Sequence, residues 1–280
     1  MSAYYTHLEL SPGLYQIWEP SGVGCTLITG AQRALLIDTG YGFDDLSGYV
    51  KALTDLPLTL INTHGHLDHA GGNWQFSQAA WLHPYERLVY DIYQKDKVTH
   101  VPYIEKKYRL GKISDPFPPD FDRASYMENK AVPFRDVSDH QVFDLGGRQV
   151  EVSFLPGHTK GSLTLFDHAT GTLITGDNVG PSLWIMFEQS APLSVFAQRL
   201  AQIQSTYPIR QVLASHSPTP YPPSIIDHVL HAVTVCRPET SRIFVHPRHG
   251  YKALHHKEPV ADIPGLKTIH VVYPIKEPTT

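Results

Sequence analysis

Leu60 to Gly72 reads LINTHGHLDHAGG. Behind an apolar run, the six positions from 64 to 69 hold His64, His66, Asp68 and His69. Leu58 to Asn62 predicts a short strand buried on both faces, because it is largely apolar and too short for a helix. Where such a strand ends, residues i and i+2 face the same space, so His64 and His66 can share one ion. If a helix begins at once, Asp68 and His69 project from its first turn toward a neighbouring position. Gly71 and Gly72 let the backbone pack closely behind. Imidazole and carboxylate donors suit zinc, iron or manganese.

Downstream, the ends of further predicted strands offer the donors that would complete the set. His158 lies in PGHTKGS after Val150 to Leu155, Asp177 in ITGDN after Leu173 to Thr175, and His216 in ASHS after Val212 to Ala214. Taken singly, each reads equally well as a turn or capping residue. Together they fall where open α/β sheets gather their chemistry, at strand ends.

With these residues in view, the sequence resembles the metallo-β-lactamase-fold hydrolase superfamily. The resemblance runs through LLIDTG at 35–40, THGHLDHAGG at 63–72, PGHTKGS at 156–162, TGD at 175–177 and SHS at 215–217. It implies an α/β (α+β) fold, a four-layer αββα sandwich with two divalent metal ions at one edge, zinc first, with iron or manganese as alternatives. It assigns His64, His66 and His158 to one ion, Asp68, His69 and His216 to the other, and Asp177 to both. It makes Asp38, in LIDTG, the carboxylate that orients the site without coordinating.

Within the superfamily, flavodiiron proteins place a glutamate where this chain has His66, and true β-lactamases a cysteine or serine where it has Asp177. RNA-processing members add basic gripping elements that this sequence lacks. The resemblance therefore points to the glyoxalase II and lactonase side, with cleavage of a carboxylic ester, lactone or thioester by a metal-bridging hydroxide. Asp68 would be catalytic as well as a ligand. No GxSxG elbow offers a serine alternative. A phosphodiester hydrolase on the same metals, a non-hydrolytic iron-dependent oxidoreductase and a metal-binding sensor remain open as rivals.

The remaining sequence frames this site. Its 280 residues are 41% hydrophobic and 18% charged, the balance of a globular protein. A net charge of −4 without basic blocks argues against a nucleic-acid partner. No run of apolar residues is long enough for a membrane span. The N-terminus shows no signal-peptide pattern, and Cys25 and Cys236 read as free buried thiols, so a cytoplasmic protein with a small-molecule substrate is expected. Oligomeric state is left open, a homo-oligomer included.

Positions 1–280 read as one domain with a lid-like insertion at about 84–140, rich in tyrosine and broken by prolines that preclude a long helix. Inside it Lys106, Lys107 and Arg109 form a basic cluster, either a solvated face or a guide for anionic substrate. A helix is predicted from Phe43 to Leu56. After Asp177, the segment with Trp184, Ile185, Met186 and Phe187 reads as a loop, with Trp184 and Phe187 as walls of an apolar substrate pocket. His246, His249, His255 and His256 read as surface residues.

Overall fold

A computed structural model describes residues 4–128 and 130–275. The chain divides into two compact units, residues 1–138 with 142–150, and residues 139–141 with 151–280.

The first unit contains β1 (Thr6–Ser11), β2 (Leu14–Trp18), β3 (Gly24–Thr29), β4 (Ala34–Ile37), α1 (Leu46–Leu53), β5 (Leu58–Ile61), α2 (Leu67–Ala70), β6 (Ala80–Leu82), α3 (Glu86–Lys95), α4 (Lys97–Arg109), α5 (Arg123–Met127) and β7 (Phe134–Asp136). Its sheet runs in sequence order from β1 to β7. Strands β1 to β4 pair antiparallel through short turns. From β4 onward the pairing is parallel. Parallel neighbours need crossover connections, and helices supply them.

Residues 84–140, expected above as a lid-like insertion, also join two strands of this sheet. The segment is the crossover from β6 to β7, and its end completes the sheet. Its prolines do not break every helix. Pro102 lies inside α4, a helix of 13 residues, and removes a single donor from the backbone ladder.

Helix α1 is shorter than the predicted Phe43–Leu56. Asp45 is its cap, accepting the Gly48 N–H at 2.8 Å, and Thr54 turns extended ahead of Pro57. Leu27, Leu36, Leu46 and Leu60 are fully buried together in this unit's core. Each such side chain contributes about 1.5–3 kcal/mol.

Next come β8 (Val142–Asp144), β9 (Gln149–Phe154), β10 (Leu163–Asp167), β11 (Thr172–Gly176), β12 (Ser182–Trp184), α6 (Leu193–Thr206), β13 (Gln211–Ala214), α7 (Ser224–Val235), β14 (Arg242–Val245), β15 (Lys252–Pro259) and β16 (Thr268–Tyr273). One sheet has the order β13-β11-β10-β9-β8, another the order β12-β16-β15-β14. Phe166 of β10, Phe196 and Leu200 of α6, Val229 of α7 and Val271 of β16 share the second unit's main core.

Two expectations fail here. The segment after Asp177 contains a strand, β12, paired parallel with β16. Leu183 and Ile185 enter the core, which is why so apolar a stretch is not a free loop. The histidine-rich tail contains the long strand β15. There His256 is buried and His255 half-buried, while His246, just beyond β14, is also buried; His249 is exposed as expected.

Candidate metal centre

In the first unit the site grows from two parallel strand ends. Ile37 lies opposite Ile61, so the chain leaves β4 and β5 side by side. Asp38 follows immediately in a left-handed conformation, φ 64°, which a short polar side chain tolerates. Its Oδ1 accepts the Thr63 N–H at 2.7 Å, and its Oδ2 accepts the Thr63 hydroxyl at 2.8 Å. Oδ2 also lies 2.8 Å from Nδ1 of His69. A carboxylate there makes Nδ1 the protonated nitrogen and leaves the Nε2 lone pair to face the site.

His64, His66 and His69 are all buried. The His64 ring lies edge-on to His66 at 4.6 Å and tilted against His69 at 4.1 Å. Asp68, in the first turn of α2, places Oδ2 3.9 Å from Nε2 of His69. Behind this turn, a Cβ on Gly72 would sit 2.4 Å from the Thr39 carbonyl oxygen, so the paired glycines let the loop after β4 press against it. Lys107 of α4, half-buried, feels the charge of Asp68. Burial lowers its pKa, and Asp68 acts in the opposite direction.

The second unit repeats the strategy. Strands β11 and β13 are parallel, with Gly176 opposite Ala214, so Asp177 and His216 emerge from adjacent ends. Asp177 lies between two imidazoles, Oδ1 3.4 Å from Nε2 of His216 and Oδ2 3.5 Å from Nε2 of His158. His158 donates Nδ1–H to the Trp184 carbonyl at 2.7 Å, which again leaves Nε2 as the available nitrogen. Asn178 fastens the two turns together. It accepts the His158 N–H at 2.9 Å and donates to the Leu155 carbonyl at 3.0 Å.

Trp184 and Phe187 are half-buried beside this half of the site. The Phe187 ring meets His158 at 5.2 Å, while Trp184 packs on Phe244 at 5.3 Å and on His246 at 5.9 Å. Neither Asn178 nor the Trp184 carbonyl carries a sequence signal, since asparagine after a strand is common and a carbonyl is present at every residue.

In each unit, imidazole nitrogens and aspartate oxygens converge, and the Nδ1 atoms of His64, His69 and His158 are engaged elsewhere, while His216 is exposed. Burying several imidazoles and carboxylates together is unfavourable without a compensating charge. The donor types, nitrogen and oxygen without thiolate, fit borderline divalent ions such as zinc, iron or manganese.

The chain belongs to the metallo-beta-lactamase superfamily, whose family model matches residues 18–238. Its mixed α/β architecture is the metallo-β-lactamase fold. A metallo-beta-lactamase from Pontibacter korlensis superposes with a TM-score of 0.59 at 17% identity, covering 83% of this chain and 100% of that one. Among curated relatives, a Gallus gallus protein named acyl-coenzyme A thioesterase MBLAC2 is 28% identical over 76% of this chain and 80% of its own length. The Homo sapiens protein of the same name is 27% identical over 76% and 81%. A hydroxyacylglutathione hydrolase, GloC of Haemophilus influenzae, is 31% identical over 55% of this chain and 65% of its own. Among the described residues, no helix is long and apolar enough to cross a membrane.

Proposed function

We propose that this hydrolase cleaves a carboxylic thioester or ester, an acyl thioester first of all, at a two-metal centre. His64, His66 and His158 would hold one ion, and Asp68, His69 and His216 the other, with Asp177 between them. The observation that carries this reading is the Asp177 carboxylate, set with one oxygen toward His158 and the other toward His216. A bridging ligand needs one oxygen for each ion. The choice of bond rests on the thioesterases and the hydroxyacylglutathione hydrolase among the relatives.

When bound, the ions supply Lewis acidity and bring the pKa of water to near 7. The chain supplies orientation and proton traffic. Asp38 holds His69 and the Trp184 carbonyl holds His158, each through Nδ1, so neither ring can turn away from the site. Asp68 would take the proton of the attacking water and return it to the departing thiol or alcohol. Trp184 and Phe187 would form one wall of the acyl pocket.

On this reading the whole chain is one catalytic domain acting on a small molecule. Residues 84–140 would form a pocket wall as well as a crossover. The two free, buried cysteines suit a cytoplasmic location.

Asp177→Ala tests the centre. Bound metal should fall and hydrolysis should drop by orders of magnitude across thioester, lactone and aryl ester substrates, while circular dichroism shows the fold retained. His249→Ala, at an exposed position, should change neither. Full metal occupancy with wild-type turnover in Asp177→Ala would remove Asp177 from the site. Preferential turnover of a phosphodiester in the same panel would overturn the choice of bond.

A further inference from the structure

We infer that α3, the first helix of the 84–140 segment, is a brace for the metal-binding turn, with Glu86 and Tyr93 as positioning residues for His64 and His66. The inference rests on the two-metal reading above and concerns residues outside the proposed ligand set.

Three contacts support it, all within the first unit. The side chain of Glu86 is fully buried, and its Oε2 accepts the backbone N–H of Gly65 at 2.8 Å. Gly65 is the residue between His64 and His66, so this bond fixes the peptide whose orientation sets the angle between the two imidazoles. The helix backbone itself touches the same residue. A Cβ on Gly65 would lie 2.6 Å from the Glu86 carbonyl oxygen and 2.7 Å from the Tyr90 nitrogen. One helical face farther along, Tyr93 stacks on the His66 ring at 4.1 Å and 27°. Glu86 and Tyr93 are seven residues apart, close to two turns, and therefore share the face of α3 that meets the turn.

The physical consequence is a preset ligand spacing. A tetrahedral or similar site tolerates little error in ring orientation, and groups behind the ligands hold it. For His69 that group is Asp38. His66 is held by a stacked ring, which resists rotation about the Cβ–Cγ bond, and the His64–Gly65 peptide just before it is pinned by Glu86. The root of the 84–140 segment is thus part of the metal scaffold, and any opening of that segment must begin beyond α3.

The test is Zn²⁺ affinity by competition with a chromophoric chelator, on the full chain, alongside the absorption spectrum of the Co²⁺-loaded protein. Glu86→Asp shortens the reach to Gly65, and Tyr93→Leu removes the stack while keeping an apolar filler. Each should weaken one of the two bound ions about 10–100-fold and shift the Co²⁺ bands of that ion. Glu86→Gln keeps an acceptor and Tyr93→Phe keeps the ring, so both should retain near wild-type affinity and spectra. Melting the metal-free variants separates lost affinity from lost folding. Wild-type affinity and spectra in both Glu86→Asp and Tyr93→Leu would overturn the brace while leaving the metal centre standing. A wild-type chain that takes up no Zn²⁺ or Co²⁺ would overturn the two-metal reading, and the brace with it.

Discussion

Gly65 lies between His64 and His66 with α3 directly against its backbone. The obstacles to a side chain there are main-chain atoms, which cannot swing aside as a flexible side chain can. Gly65→Ala should therefore destabilise the metal-free protein by about 1–3 kcal/mol, the usual cost of overpacking, read from urea unfolding. An unchanged midpoint would show that α3 yields easily at this point. Asp38 shows another constraint at the same scale. Its left-handed backbone turns the carboxylate to reach both Thr63 and His69.

Among the elements, β12 and the residues after it link packing to chemistry. Leu183 and Ile185 anchor the segment in the core, while Trp184 and Phe187 stay half-buried beside His158. If these two line the acyl pocket, each is worth about 1.5–3 kcal/mol to a bulky apolar group that it covers. Trp184→Ala or Phe187→Ala should then lower kcat/KM for bulky apolar esters about ten- to a hundredfold. Small esters should lose far less. Equal losses for both classes would make the segment scaffolding.

The β15–β16 hairpin carries a different device. His255 Nε2 lies 2.9 Å from His270 Nδ1, and such a bond needs one nitrogen to remain unprotonated. Burial lowers both pKa values, and positive neighbours add to this, His270 and then Lys257 for His255, Lys257 for His270. Folded values below the unfolded value of about 6.5 mean that the pair's contribution is present above that pH. It is lost as pH falls through the folded values. Between about pH 7.5 and pH 5, the Tm of the wild type should fall further than that of a His255→Thr/His270→Thr variant. Parallel curves would remove the pair from the acid response.

For the molecule as a whole, a net charge of −4 gives no attraction for an anionic substrate. At about 0.1 M salt, however, fields fade over roughly 10 Å, so local charge decides steering. Lys107 is near enough to feel Asp68, and Lys106 and Arg109 flank it on the last turn of α4. Neutralising all three should raise KM for acidic substrates, most strongly at low salt, and leave neutral esters unaffected. An unchanged KM at low salt would leave the cluster a solvated face.

Much of this was legible in the amino-acid order. Leu14–Trp18, Ala34–Ile37 and Gln211–Ala214 announce themselves as strands because apolar runs bounded by turns have few other stable states. The proposed ligands are legible because histidine and aspartate at strand ends are costly unless used. Strands β6 and β7 are not legible. Each has three residues, and only pairing across the intervening helices makes them strands. Strand β15 is obscured by its histidines and lysines, of which His256 is buried only because β16 pairs beside it.

What the sequence determined by itself is the family to which the chain belongs and the strand ends from which the proposed donors project. What only the tertiary structure decided is orientation: which nitrogen of His69 and His158 is left available, which peptide Glu86 holds and which ring Tyr93 covers. The reason is physical. Periodicity and spacing report each residue's own burial and its near neighbours. The partners that aim a side chain come from segments tens of residues away, joined to it only when the strands pair and the crossover helices pack.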